Sequence, residues 1–276
     1  MPIVPVNGIR LSYEDSGGTG EPVVMVMGSG ATGRAWHLHQ VPALVAAGYR
    51  VITFENRGIA PSAPCADGFT IQDMVNDVIG LIRHLRLDGC RLVGTSLGSY
   101  VVQELALRRP DLVQSAVLLA TRGRVDAMRR ALTRAEIELY DSGVRLPPKF
   151  DAVIQVMRNL SPRSLLNDVE VSDWLEVLEA TSGNVSGERA QLGLDPTPSR
   201  LPAYRSISVP CHVIAFQDDL VTPPELGREV AEAIPGASFE VIAGCGHYGY
   251  LEDPDSVNKG IVEFFRTAAD RQTVRR

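Results

Sequence analysis

Gly94-Thr95-Ser96-Leu97-Gly98 sets a serine between small residues, with the strand-like run Arg91–Gly94 before it and the helical period Val101–Arg109 after it. A sharp strand-to-helix turn leaves room only for small flanking residues. It also presents the hydroxyl at the carboxyl edge of a sheet, with the following backbone N–H aimed at an oxyanion. A serine nucleophile needs a base, and the base needs an acid to orient it. The chain has five histidines: His37, His39, His84, His212 and His247. His84 sits among basic residues on a helical stretch and His212 lies inside a strand, so both read as structural. His37 and His39 follow a glycine loop and could line a pocket, though the pattern favours the surface. His247, in Gly244-Cys245-Gly246-His247, follows the strand-like run Phe239–Ile242 and falls on a loop at a strand's carboxyl end, where catalytic groups of open α/β sheets collect. Gln217-Asp218-Asp219 places an acidic pair on the loop after Cys211–Phe216. The chain order of serine, acid and base matches this chemistry on an α/β sheet. Cys245, two residues from His247, reads as a small buried side chain and not as a second nucleophile.

A second motif competes. Gly28-Ser29-Gly30-Ala31-Thr32-Gly33 is a formal GxGxxG after the run Val23–Met27, and Glu55 closes the next strand 22 residues beyond Gly33. That spacing suits NAD(P) binding, with the acid on a ribose hydroxyl. A dinucleotide helix should run unbroken from about Gly30 to Ala47, but Pro42 interrupts it at a cost of ~3 kcal/mol. A shorter helix from about His39 puts Pro42 in its first turn, where proline is tolerated.

These loops are positioned by alternating strands and helices. Ile9–Glu14 alternates like an edge hairpin strand. Val23–Met27, Val51–Phe54, Arg91–Gly94 and Ser115–Ala120 are buried parallel strands, separated by helical periods at Val41–Ala47, Ile71–Leu87 and Val101–Arg109. From about Arg122 to Arg205 the pattern is helical only (Ala127–Tyr140, Ala152–Leu160, Asp173–Ala180) and broken by prolines. The alternation resumes at Cys211–Phe216, Pro224–Ala233 and Phe239–Ile242, and ends in a helix from about Pro254 to Ala269. The expectation is one α/β domain, a mostly parallel sheet with helices on both faces, interrupted by a helical insertion.

Composition narrows the function. The chain has 276 residues, 22% charged and 45% hydrophobic, which suits a packed globular domain and not a disordered or fibrous chain. A net charge of −6 argues against a nucleic-acid partner. Cys65, Cys90, Cys211 and Cys245 lack CxxC spacing, so neither a disulfide scaffold nor a structural metal site is expected. No apolar run approaches the ~18 residues of a membrane span. The expectation is a cytoplasmic protein without a membrane partner, monomeric or homodimeric.

With these residues in place the chain resembles the α/β-hydrolase fold family over nearly its whole length. The resemblance rests on Val24-Met25-Val26-Met27-Gly28-Ser29-Gly30, Phe54-Glu55-Asn56-Arg57-Gly58 with Ser62, Gly94-Thr95-Ser96-Leu97-Gly98, Asp219-Leu220-Val221-Thr222-Pro223 and Gly244-Cys245-Gly246-His247. It is nearest in look to the enol-lactonase and carbon–carbon-bond hydrolase branches. The resemblance implies an eight-stranded-type sheet, a core domain of residues 1–121 and 206–276, and a helical cap of residues 122–205. It selects Asp219 over Asp218, because the family's acid lies four residues before a proline. The chain departs from the family at Met27 (usually His), Glu55 (usually Asp) and Phe216 (often Gly).

The implied chemistry is cofactor-free acyl transfer. Ser96 is the nucleophile, His247 the base and Asp219 the orienting acid. Backbone N–H groups of Leu97 and of Ser29 or Gly30 form the oxyanion hole. Met157, Trp174 and Tyr248 are the candidate pocket residues, which suggests a small, largely apolar ester or lactone. The same site would serve carbon–carbon-bond hydrolysis or a biosynthetic elimination, and a non-catalytic small-molecule-binding protein is a further alternative.

Overall fold

Strands buried on both faces explain the short apolar runs. The computed structural model describes residues 1–65, 68–181, 188–194 and 198–273. Among them, eight strands form one sheet: β1 (Ile3–Val6), β2 (Ile9–Asp15), β3 (Pro22–Val26), β4 (Arg50–Phe54), β5 (Cys90–Thr95), β6 (Val113–Leu119), β7 (Cys211–Phe216) and β8 (Ser238–Ile242). Their spatial order is β1-β2-β4-β3-β5-β6-β7-β8. β1 pairs antiparallel with β2, and β2 with β4; the other neighbours are parallel. Asn7 and Gly8, both at positive φ, make the tight turn between β1 and β2.

The period-2 alternation of the strands splits the core into two layers. Val24, Val26, Ile52, Leu92, Leu118 and Val213 face one side. There they meet α2 (Ile71–His84), α3 (Leu97–Arg108) and, later in the chain, the helix Pro224–Ala233. Val23, Met25, Val51, Val93, Val117, Ile214 and Phe216 face the other side, against α1 (Gln40–Ala46) and the long helix Pro254–Thr273. α2 is fixed at its start by a capping box, Thr70 and Asp73 each satisfying the other's backbone N–H. Its Asp77 meets Arg57 in a buried two-pronged pair at 2.6 Å on each prong, and Asn7 Nδ2 donates to the same carboxylate at 2.9 Å. Losing one partner of such a pair typically costs about 3–5 kcal/mol.

Between β6 and β7 come α4 (Ala127–Asp141), α5 (Pro148–Asn159), α6 (Pro162–Leu165), α7 (Asp168–Thr181), α8 (Glu188–Leu192) and α9 (Leu201–Tyr204). α5 and α7 bury a small cluster of their own, with Ala152, Val156, Leu160 and Leu178 at its centre. α9 belongs to the sheet's packing instead: Tyr204 is fully buried in the first core layer, and Arg200 grips Glu104 of α3 with two hydrogen bonds of 2.8 and 2.9 Å. After β7 follow α10 (Pro224–Ala233), β8, α11 (Gly249–Glu252) and α12 (Pro254–Thr273). No described helix is long and apolar enough to cross a membrane.

Several expected boundaries moved, two of them with a local cause. α3 starts at Leu97, directly after Ser96, not at Val101, because Gly98 and Ser99 are weak helix formers that hide its first turn. α7 starts at Asp168, five residues before the expected Asp173, with Asp168 and Glu170 in the favourable acidic first turn.

Gly98 fixes how closely α3 approaches the sheet. A Cβ there would stand 2.1 Å from Val26 O and 2.8 Å from Met27 O, both backbone atoms that cannot step aside. Gly98→Ala is expected to destabilise the fold by about 1–3 kcal/mol. Calorimetry should show a fall of roughly 2–4 °C in unfolding midpoint per kcal/mol.

Candidate active site

Ser96 occupies the turn between β5 and α3 with φ +53° and ψ −118°, a backbone conformation that L residues avoid at about 1–3 kcal/mol. Neighbouring contacts hold it there. Ser96 N–H donates to Leu119 O at 3.0 Å, and Ser99 Oγ lies 2.7 Å from both Gly94 O and Leu119 O. A Cβ on Gly94 would fall 2.5 Å from Gly98 O, so the turn closes only with glycine on both sides. Leu97 is the first residue of α3, and its N–H has no partner within the helix.

The loop after β3 passes directly over this turn. A Cβ on Gly28 would stand 3.3 Å from Ser96 Cβ. Asn56 Nδ2 donates to Met27 O at 2.8 Å and pins the loop from below. Ser29 lines the same cavity as Ser96 and Leu97. Gly30 does not offer a free donor: its N–H goes to Gln191 Oε1 of α8 at 2.8 Å, while Gln191 Nε2 donates to Arg57 O at 3.0 Å.

The dinucleotide geometry is not formed. No helix begins at Gly30; a single stretch of 3₁₀ helix, Gly33–Leu38, precedes α1, and Pro42 lies in the first turn of α1. Glu55, the candidate ribose ligand, turns inward and accepts from Gly33 N–H at 2.8 Å. Burial pushes its carboxyl above the usual range, partly offset by that N–H.

Asp219 and His247 come together. His247 Nδ1 is 2.8 Å from Asp219 Oδ2. The carboxylate is almost wholly buried and held from three further directions: Val221 N–H and Thr222 N–H donate to Oδ1 at 2.8 Å each, and Thr222 Oγ1 donates to Oδ2 at 2.7 Å. A buried charge is tolerable only with such bonding. Asp218, whose N–H donates to Cys245 O at 2.8 Å, makes no hydrogen bond to His247. Ser96 and His247 line one cavity but share no direct hydrogen bond, an arrangement common where the contact tightens only around substrate. The other four histidines do not line it; His37 lies 3.0 Å from Thr53 Oγ1 and His212 lies 2.8 Å from Ser238 Oγ.

The His247 loop is tied to the helices above it. Glu252 Oε2 accepts from Gly246 N–H at 2.6 Å, while its Oε1 accepts from Ser161 N–H and Oγ at 2.8 and 2.7 Å. Tyr248 N–H donates to Asn159 O at 3.0 Å. Cys245 is buried beneath, its thiol pushed up to about 12 by burial, and stays protonated near neutral pH. Phe216 is accommodated by Gly249, where a Cβ would stand 2.3 Å from the ring.

The cavity, about 110 Å³, differs from the apolar pocket expected. Tyr248 lines it. Met157 is 58% exposed and is not a lining residue, and Trp174 stands behind Tyr248 with ring centroids 5.6 Å apart. Polar side chains face it instead: Arg122, Arg129, Glu136, Arg158, Asn159 and Gln191. Helical periodicity finds an apolar face, but here that face joins α5 to α7, and the polar side of the helices looks into the cavity. Thr222 and Gln191 also escaped sequence reading. The spacing of Asp219 and Thr222, which suits a side-chain-capped turn, was a usable signal for the first; nothing local marks Gln191. Among the described residues no group of three His, Cys, Asp or Glu could hold a metal ion.

Thr222→Val removes a donor from a buried carboxylate. It is expected to cost about 1.5–3 kcal/mol, read as a lower urea midpoint with unchanged slope.

A model of the alpha/beta hydrolase family matches residues 23–259. The putative non-heme bromoperoxidase BpoC of Mycobacterium tuberculosis is 50% identical over 258 residues, 93% of this chain and 98% of that one. Its crystal structure superposes with a TM-score of 0.90 over 94% of this chain and 96% of that one, at 49% identity. A thermophilic esterase from Thermogutta terrifontis is 29% identical, with a TM-score of 0.84 over 97% and 99% of the two chains. The enol-lactonase of Burkholderia xenovorans shares the fold at 24% identity, with a TM-score of 0.78 over 96% of this chain and all of that one.

Proposed function

The chain belongs to the alpha/beta hydrolase family, and on that footing we propose that it is a serine hydrolase cleaving an ester, lactone or similar acyl bond of a small molecule, with Ser96, His247 and Asp219 as its catalytic relay. The observation that carries this reading is the Asp219–His247 pair at 2.8 Å, opening into the one cavity that also holds Ser96 on its strained turn.

In this reading His247 Nε2 takes the Ser96 proton as Oγ attacks the acyl carbon. Asp219, held by Val221, Thr222 and their N–H groups, fixes the Nδ1–H tautomer and stabilises the imidazolium. The oxyanion forms against the N–H groups of Leu97 and Ser29; Gly30 supports this loop through Gln191 and is not a donor. Losing one such donor typically costs ~10²–10³ in rate. The leaving group takes the proton from His247. Water then gives a proton to His247 as it attacks the acyl carbon. The bond to Ser96 Oγ breaks, Oγ regains the proton from His247, and the acid departs. The helices between β6 and β7 act as a cap that walls the cavity and selects the substrate.

The 50% identical relative's name supports a second use of the same intermediate. Hydrogen peroxide in place of water would attack the acyl-enzyme, releasing a peroxyacid and restoring the Ser96 hydroxyl. The peroxyacid would then oxidise bromide to hypobromous acid and be reduced to the carboxylic acid. Both uses require Ser96.

A fluorophosphonate is expected to label Ser96 in the wild type and not in Ser96→Ala, and Ser96→Ala should lose both hydrolysis and peroxide-dependent bromination. Hydrolysis in ¹⁸O-water should leave label in the released acid; its absence would favour elimination. Ser96→Gly, which relieves the left-handed backbone, should be inert yet melt above Ser96→Ala by an amount reflecting about 1 kcal/mol or more. Full activity in Ser96→Ala overturns the assignment.

A further inference from the structure

The loop that carries His247 is packed against a distant part of the chain, the junction of α5 and α6 at Asn159, Leu160 and Ser161. The approach is backbone on backbone. A Cβ on Gly246 would stand 2.6 Å from Asn159 O, 2.7 Å from Leu160 C and 2.8 Å from Ser161 N, so no side chain fits between the two segments. Gly244 meets α6 in ordinary contact, a Cβ there falling 3.7 Å from Arg163 Cδ. On the other flank of His247, Tyr248 N–H donates to Asn159 O at 3.0 Å.

One carboxylate closes this assembly. Glu252, the last residue of α11, accepts Gly246 N–H on Oε2 at 2.6 Å. Its Oε1 accepts the N–H and the hydroxyl of Ser161 at 2.8 and 2.7 Å. Ser161 is itself buried as the N-cap of α6, where its Oγ also accepts from Ser164 N–H at 3.2 Å. Hydrogen bonds to a charged acceptor are roughly twice as strong as neutral ones. The N–H groups on both sides of His247, those of Gly246 and Tyr248, are thus held by Glu252 and by the α5–α6 junction. The same junction reaches the cavity, because Arg158 and Asn159 line it together with Ser96 and His247.

Building on the hydrolase reading, we propose that Glu252 is a positioning residue: by binding the His247 loop to the α5–α6 junction, it sets where the imidazole stands relative to Ser96. Asp219 fixes the tautomer and rotation of the ring through Nδ1, and Glu252 fixes the main chain that bears the ring. A molecule that presses on Arg158 or Asn159 acts on the segment that holds His247, so filling the cavity and placing the imidazole are linked. A displacement of about 1 Å in a reacting group can cost roughly a hundredfold in rate.

The test is Glu252→Gln, which keeps the side chain's shape. Whichever way the amide turns, its NH₂ faces the N–H of Gly246 or of Ser161, donor against donor. With 4-nitrophenyl acetate as substrate, and at a temperature where the variant is folded, kcat should fall at least roughly tenfold while KM stays within about twofold. The proton shared by His247 Nδ1 and Asp219 should give a far-downfield NMR resonance in the wild type that shifts or broadens in the variant. A role confined to stability would lower the melting point and leave that resonance in place. Glu252→Asp keeps the charge but is too short to serve both segments, and should resemble Glu252→Gln. Should neither variant fold, Ser161→Ala, which removes one of the donors, should show the same split in smaller measure. An unchanged kcat, an unmoved resonance or full activity in Glu252→Asp would each overturn the proposal, the last by assigning the effect to charge alone. A wild type that neither hydrolyses the ester nor reacts with a fluorophosphonate loses the hydrolase reading, and the resonance still decides whether Glu252 places the imidazole.

Discussion

Everything near Ser96 depends on a crowding of backbone against backbone. α3 lies so close to β3 and β5 that side chains are impossible at Gly94 and Gly98, and Gly28 crosses within contact distance of Ser96. That crowding forces the serine into its left-handed conformation and holds the hydroxyl at the sheet edge. Strain of this sort survives only where surrounding packing over-determines it. Here the packing is two core layers, with α3 in one of them contributing Val101, Val102, Leu105 and Ala106. The stability of the whole sheet thus underwrites an unfavourable local geometry.

Asp219 and His247 are organised by the opposite strategy, saturation with hydrogen bonds. Asp219 has no slack: both of its oxygens are engaged, and the imidazole is one of four donors around it. His247 is then anchored through its neighbours, Gly246 to Glu252 and Tyr248 to Asn159. Ser96 and His247 are therefore set by independent parts of the chain, and they share the cavity without a direct hydrogen bond.

Much of the architecture was legible in the sequence. Strand runs, the glycine-flanked serine, and the loops carrying Asp219 and His247 follow from local pattern, because strand alternation and tight turns are short-range constraints. Pro42 sufficed to separate a short helix from a dinucleotide-binding one. The cavity was not legible. Arg129, Arg158 and Gln191 acquire meaning only from which way α4, α5 and α8 face, and periodicity cannot tell a face packed on another helix from one looking into a cavity. Met157 shows the error in one residue: apolar, correctly helical, and pointed at solvent. Met27, Glu55 and Phe216 make the complementary point, since each unusual residue has its own local accommodation in Tyr250, Gly33 and Gly249.

Gln191 has a wider consequence. A single side-chain amide from α8 satisfies an N–H of the loop over the serine and a C=O of the loop after β4. If α8 lifts, two main-chain groups are left to hydrate and the glycine-rich loop regains the freedom its sequence allows. The loop beside Ser96 and the short helix over it thereby hold or slacken together.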